Sequence, residues 1–244
     1  MTGLELELPG ARVLFTARAG GVSQAPYDTL NLGLWTDDDG EAVAENRRRA
    51  SVAAGGRPLV HGRQVHGTGV VRQGAPGEVR DADGQATTRD DVALLVLTAD
   101  CLPVAVAGEG GVAMLHAGWK GLAGGVLEEG VRALRELGVA GPLHAAIGPA
   151  AGACCYEVGD EVGERFPDWA RDGRLLDLKG VAAHRLREAG VAEVADVGRC
   201  TMCEPDVFFS HRASGGATGR QAGIAWRVPG AGPGSGQGGL VWRS

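Results

Sequence analysis

The stretch from Asp91 to Gly125, DVALLVLTADCLPVAVAGEGGVAMLHAGWKGLAGG, constrains this chain more than any other. Its two apolar runs, Val92 to Leu97 and Val112 to Leu115, have the length and aliphatic content of buried strands. Each predicted strand stops on a reactive residue at a turn, Cys101 after the first and His116 after the second. A thiolate and an imidazole delivered by neighbouring strand ends form a pair that can bind a metal or do nucleophilic work, and the glycines after His116 let backbone come close to a ligand. A buried free cysteine beside a satisfied core histidine would give the same pattern, so these two residues by themselves leave the choice open.

The rest of the chain predicts mixed α/β structure. Strands are expected at Arg12 to Thr16, running into the Gly20-Gly21 turn, and at Val70-Val71, Leu143 to Ile147, Val194 to Val197 and Ala222 to Trp226. Helices are expected at Glu41 to Ala54 with Asp39 near the start, Gly121 to Leu137, Val158 to Phe166 ending before Pro167, and Leu178 to Ala189 ending at Gly190. Strands and helices follow one another irregularly, which is not a βαβ repeat. No linker or charge run divides the 244 residues, so one domain is expected over 1–244, with a flexible Gly-rich segment at 230–239. That segment contains a literal GxGxxG, Gly234 to Gly239, but no helix is expected after it, and the dinucleotide reading fails. HAGWKGLAGG likewise lacks P-loop spacing.

A net charge of −6 and the lack of a clustered basic stripe argue against nucleic acid, leaving small molecules as the expected partners. MTGLELELPG has acidic residues where a signal peptide would be basic, and no apolar run approaches a membrane span. A soluble cytoplasmic protein, monomeric or homodimeric and not bound to membranes, is expected. Five cysteines in such a compartment do not read as a disulfide framework. Cys200 and Cys203 have CxxC spacing without a second CxxC; the vicinal Cys154-Cys155 could complete a zinc site, while packing or support is the simpler reading.

Read with their neighbours, TADCLPV (Thr98 to Val104) and HAGWKGLAGGV (His116 to Val126) resemble the signature of the laccase-domain family, also called multicopper polyphenol oxidases. TARAGGVS (Thr16 to Ser23), LNLG (Leu30 to Gly33), ENR (Glu45 to Arg47), QVHG (Gln64 to Gly67), IGPAAGACCYEVG (Ile147 to Gly159), FFSHR and TGR fit the same family in the same order, over roughly residues 12 to 228. The resemblance implies a layered α-β sandwich of helices flanking mixed sheets, related to cytotoxic-necrotizing-factor-like cysteine hydrolases. It carries zinc ligands onto His66, Cys101 and His116, one zinc per chain, with Cys101, His116 and Asp100 as the catalytic set. Three protein ligands leave a fourth position open, as in catalytic zinc sites. His61, His144 and His184 stay outside this set. Six scattered histidines are too few for a four-copper centre, although a single copper could occupy the same three ligands.

Around the metal, Asp100, Asp81 and Asp83 could orient a ligand, steer a water or cap turns. Arg47, Arg212 and Arg220 match family positions, and a guanidinium fork suits phosphate. The chain departs from the family at His211, where a Tyr is usual, and at Ala213, where a second Arg is usual, which leaves open whether His211 replaces a hydroxyl donor. The activity implied first is zinc-dependent phosphorolysis of adenosine, inosine or methylthioadenosine by phosphate. Adenosine deamination is implied as a side activity, which water activation by zinc suits. Three alternatives stand beside it: a hydrolase or amidase editing peptidoglycan precursors, with Cys101 or Cys155 as nucleophile and His116 as base; a copper-dependent polyphenol oxidase; and a zinc-stabilised binding module without activity.

Overall fold

The computed structural model describes residues 3–229 and the backbone of 241–243; the Gly-rich segment at 230–239, with its GxGxxG, lies outside the described residues. The chain opens with β1 (Gly3–Leu8) and β2 (Ala11–Thr16), a hairpin turned at Gly10, followed by α1 (Gly40–Ala53). Next come β3 (Leu59–Val60), β4 (Val70–Arg72), β5 (Gly84–Thr87), β6 (Ala93–Thr98), β7 (Leu102–Gly108) and β8 (Gly111–Ala117). The second half holds α2 (Trp119–Gly124), α3 (Val126–Glu136), β9 (Leu143–Ile147), α4 (Asp160–Gly163), β10 (Arg171–Asp172), β11 (Leu175–Leu176), α5 (Leu178–Glu188), β12 (Val191–Asp196), β13 (Gln221–Arg227) and β14 (Val241–Arg243).

Among the described residues the strands build two six-stranded sheets, ordered β14-β1-β2-β13-β6-β3 and β12-β9-β7-β8-β5-β4, beside the small β10-β11 pair. Both are mixed: β3 with β6, β4 with β5 and β9 with β12 run parallel, and the other pairs antiparallel. The sheets pack face to face, with Val13, Phe15, Leu94 and Val96 of the first against Ala105, Val112, Met114 and Ala146 of the second. Ala50 of α1 covers the outer face of the first sheet at Leu95, Ile224 and Trp226. On the other side, Val131 and Leu134 of α3 and Leu186 of α5 cover the second at Val104, Val106 and Leu115. Strands β6, β7 and β8 are therefore buried on both faces, which is why they read as continuous apolar runs instead of alternating ones. Among the described residues no helix is long and apolar enough to cross a membrane.

Several expectations change. The helix expected over Gly121 to Leu137 is two, because Gly125 sits at φ 98° in the left-handed region and breaks it between α2 and α3. The helix expected from Val158 to Phe166 shrinks to α4, since Arg165 and Phe166 already bond three residues back before Pro167. His116 lies inside β8, opposite Pro103, not in a turn. The strands that precede Cys101 and carry His116 are not neighbours in one sheet: β6 belongs to the first and β8 to the second. Strand β1 went unanticipated although LELEL alternates, with Leu4 and Leu6 buried against the core; β5 and β7 were also missed.

Candidate functional site

Two of the chain's crossings between the sheets each deliver a donor. His66 sits between β3 of the first sheet and β4 of the second, and Cys101 between β6 and β7. His116 comes from the end of β8, close to both. The ligand atoms of the three lie within 4.8 Å of one another, with Cys101 Sγ 4.0 Å from His66 Nε2. A side chain at position 118 would close this space, because a Cβ on Gly118 would stand 2.8 Å from His66 Cδ2 and 3.0 Å from Cys101 Sγ.

Asp83 organises the cluster from beneath. Its fully buried carboxylate accepts from His116 Nδ1 at 2.8 Å and from the backbone N–H groups of Val65, His66 and Gly67 at 3.1, 2.9 and 2.7 Å. The first bond fixes the His116 tautomer with Nε2 free to ligate, the usual outer partner of a metal-bound imidazole. The other three hold the His66 loop, where His66 itself takes φ 57°. Burial opposes protonation of His116, but the Cys101 thiolate and the Asp83 carboxylate beside it outweigh burial and push it up to about 9. Burial likewise works against the Cys101 thiolate, and His116 followed by His66 bring the thiol down to about 6. Two imidazoles and one readily ionised thiol, mutually within reach and backed by a carboxylate, fit zinc or another borderline-soft divalent ion.

Asp100 stands at the crossing with φ 92° and is buried. Its carboxylate accepts from the Thr201 hydroxyl at 2.7 Å and from the Arg212 backbone N–H at 2.8 Å, so it ties the FFSHR segment to the Cys101 turn. Asp81 is elsewhere, paired with Arg63 at the surface. The three donors open into a cavity of about 440 Å³, a size within the range of small-molecule sites, roughly 300–1,000 Å³. Asp100, His211, Arg212 and Arg220 line it as well. Among the described residues no carboxylate forms an ion pair with Arg212 or Arg220. Arg212 donates to Glu157 O and lies over the Tyr156 ring at 5.0 Å; Arg220 donates to Thr218 O and Gly219 O, and its own N–H is held by Asn31 of the LNLG segment at 2.8 Å.

The structure does not bring every expected residue to the cavity. Arg47 is absent from its lining and donates to Leu32 O, while burial lowers its guanidinium to about 10. Cys155 lies with Cys154, Cys200 and Cys203 in a separate group. His144 and His184 pair with Glu193 and Glu188, and His61 stacks edge-on against Trp35. Conversely, Thr98, Tyr156 and Trp35 line the cavity without having been singled out. Thr98 and Tyr156 lie inside the TADC and CCYEVG motifs, so proximity to those motifs was the available signal. The Thr98 hydroxyl is buried and has no hydrogen-bond partner among the described residues. Trp35 is 58% exposed at the rim, and nothing local in the sequence marks it.

Residues 12–228 match the family described as multi-copper polyphenol oxidoreductase laccase. A Pseudomonas aeruginosa protein named purine nucleoside phosphorylase is 42% identical over 231 residues, covering 88% of this chain and 93% of that protein. Purine nucleoside phosphorylase YfiH of Escherichia coli is 38% identical over 238 residues, covering 90% and 95%. Among solved structures, a Neisseria meningitidis protein superposes with a TM-score of 0.82 at 37% identity, covering 93% of this chain and 98% of that one. YlmD from Geobacillus stearothermophilus superposes at 0.83 with 34% identity, covering 89% and 92%.

Proposed function

This chain belongs to the family of multi-copper polyphenol oxidoreductase laccases, and from that premise we propose that it is a zinc-dependent purine nucleoside phosphorylase acting on adenosine, inosine or methylthioadenosine, with adenosine deamination as a side activity. The observation that carries the reading is one cavity lined both by the His66, Cys101 and His116 donors and by Arg212 and Arg220, neither of which forms an ion pair with a carboxylate among the described residues. Arg212 and Arg220 hold the phosphate through charge-assisted bonds. A phosphate oxygen bonds to the anomeric carbon as the bond from that carbon to the purine nitrogen breaks, and the purine leaves with the electron pair. The proton that hydrogen phosphate loses on forming the ester balances the one the purine gains. Zinc held by the three donors would supply Lewis-acid polarisation at its open position. Asp100 acts as a positioning residue, since both of its oxygens are engaged by Thr201 and Arg212.

A second reading, a cysteine hydrolase that edits peptidoglycan precursors, is favoured by the Cys101 thiol lying beside two imidazoles. One experiment separates the two. Metal-replete protein is incubated with inosine, with and without phosphate, and the products are identified by mass. Phosphorolysis requires ribose 1-phosphate that appears only with phosphate; the hydrolase reading requires no nucleoside cleavage. In Arg220→Ala the apparent KM for phosphate should rise roughly ten- to hundredfold, the loss of one charge-assisted contact worth about 1.5–3 kcal/mol, with a smaller change for inosine. Free ribose formed equally without phosphate would sink the mechanism.

A further inference from the structure

Outside the cavity, the chain gathers four of its five cysteines. Cys154, Cys155, Cys200 and Cys203 are free thiols whose Sγ atoms all lie within 4.8 Å of one another. Cys203 Sγ stands 3.0 Å from Cys155 Sγ and 3.4 Å from Cys154 Sγ. The gathering follows from topology. Strands β9 and β12 are parallel neighbours, so the turns that follow them lie side by side: Ala150 bridges Cys200, and Thr201 N–H donates to Ala150 O at 3.0 Å. The first turn carries the vicinal pair and the second the CxxC pair.

We infer that these four cysteines form a structural zinc site, separate from the cavity, that staples the turn after β9 to the turn after β12. Zinc binds four thiolates at about 2.3 Å in a tetrahedron, which sets the sulfurs about 3.8 Å apart, so the observed group needs shifts of less than about an ångström to close on one ion. A backbone donor already faces one of the four sulfurs, since Gly152 N–H points to Cys200 Sγ at 3.3 Å. Such N–H contacts favour a thiolate over a thiol. Four soft sulfur donors without an oxygen or water-bearing position select zinc over calcium or magnesium and leave no open coordination site for chemistry.

The staple bears on the cavity through its two ends. Tyr156, next to Cys155, lines the cavity beneath Arg212, and Thr201, next to Cys200, donates its hydroxyl to Asp100. An ion that locks the two turns together therefore holds both the Tyr156 wall and the Asp100 anchor.

Metal and thiol counting tests the assignment on full-length protein purified without chelator. Cys200→Ser/Cys203→Ser should carry one zinc per chain fewer than wild type. In native wild type the four thiols should resist iodoacetamide until a strong chelator is added. A second measurement does not depend on that variant folding. Cobalt(II)-loaded His66→Ala/His116→Ala protein should show the intense visible bands and near-ultraviolet thiolate bands of a tetrahedral four-sulfur ion, and the added change Cys203→Ser should shift them. Zinc content unchanged by the double serine variant, disulfides among these cysteines in freshly purified protein, iron in place of zinc, or an octahedral cobalt spectrum would each overturn it.

Discussion

Asp83 concentrates more of the candidate centre in one side chain than any ligand does. It is not among the residues that line the cavity, yet its carboxylate sets the tautomer of His116 and the backbone of the loop that carries His66. Asp83→Asn keeps the volume but removes the charge, so the His116 Nδ1–H loses an ionic acceptor and the imidazole becomes a poorer donor. Outer partners of this kind typically contribute ten- to a hundredfold in metal affinity. The variant should bind zinc at the cavity site roughly 10–100-fold more weakly in competition with a chelating dye, while the four-cysteine site is unaffected. Wild-type affinity at both sites would remove Asp83 from this role. The sequence already placed Asp83 among residues able to orient a ligand, next to Asp81. It could not separate the two, because both lie in one DADG turn and only burial distinguishes the carboxylate at 0% exposure from the surface partner of Arg63.

At the scale of elements, α1 matters for what it holds. Asp39 caps it, accepting from Glu41 N–H at 2.8 Å, and one face lies on the first sheet. From that face the buried Asn46 accepts from Val22 N–H and donates to Ser23 Oγ, Thr29 O and Asn31 O. Asn31 in turn holds the Arg220 N–H, so the ENR, LNLG and TGR segments are joined by one hydrogen-bonded chain. Their joint presence in the sequence thus reflects scaffolding, and within ENR the buried Asn46 occupies the centre while Arg47 does not line the cavity. Asn46→Ala leaves several buried polar groups unmatched, each costing about 1–3 kcal/mol. Chemical denaturation should show a loss of about 3 kcal/mol or more, and a loss under about 1 kcal/mol would mean water or neighbours replace the amide.

Across the whole molecule, two sheets with helices on both outer faces form a core apart from the three candidate donors, of which His66 and Cys101 come from crossings between the sheets and His116 from the end of β8. Mild chelation that empties the cavity site should therefore abolish turnover while near-ultraviolet circular dichroism and the thermal midpoint stay close to those of the loaded protein. Collapse of the fold would favour a metal-stabilised binding module. Most of the long elements were legible in the sequence because local periodicity, caps and glycine stops encode them: β2, β6, β9, β13, α1 and α5 fall where the pattern put them to within a few residues. The identity of the three donors came from motif resemblance. Their meeting, with His66 and Cys101 35 positions apart, was decided by sheet crossings that no local pattern records. The same holds for the four cysteines, whose turns become neighbours only when β9 pairs with β12. Sequence by itself determined most of the longer strands and helices and, through motif resemblance, the three candidate donors. Tertiary structure alone decided which of those side chains share a space, because register, burial and the pairing of buried polar groups depend on residues far apart in the chain.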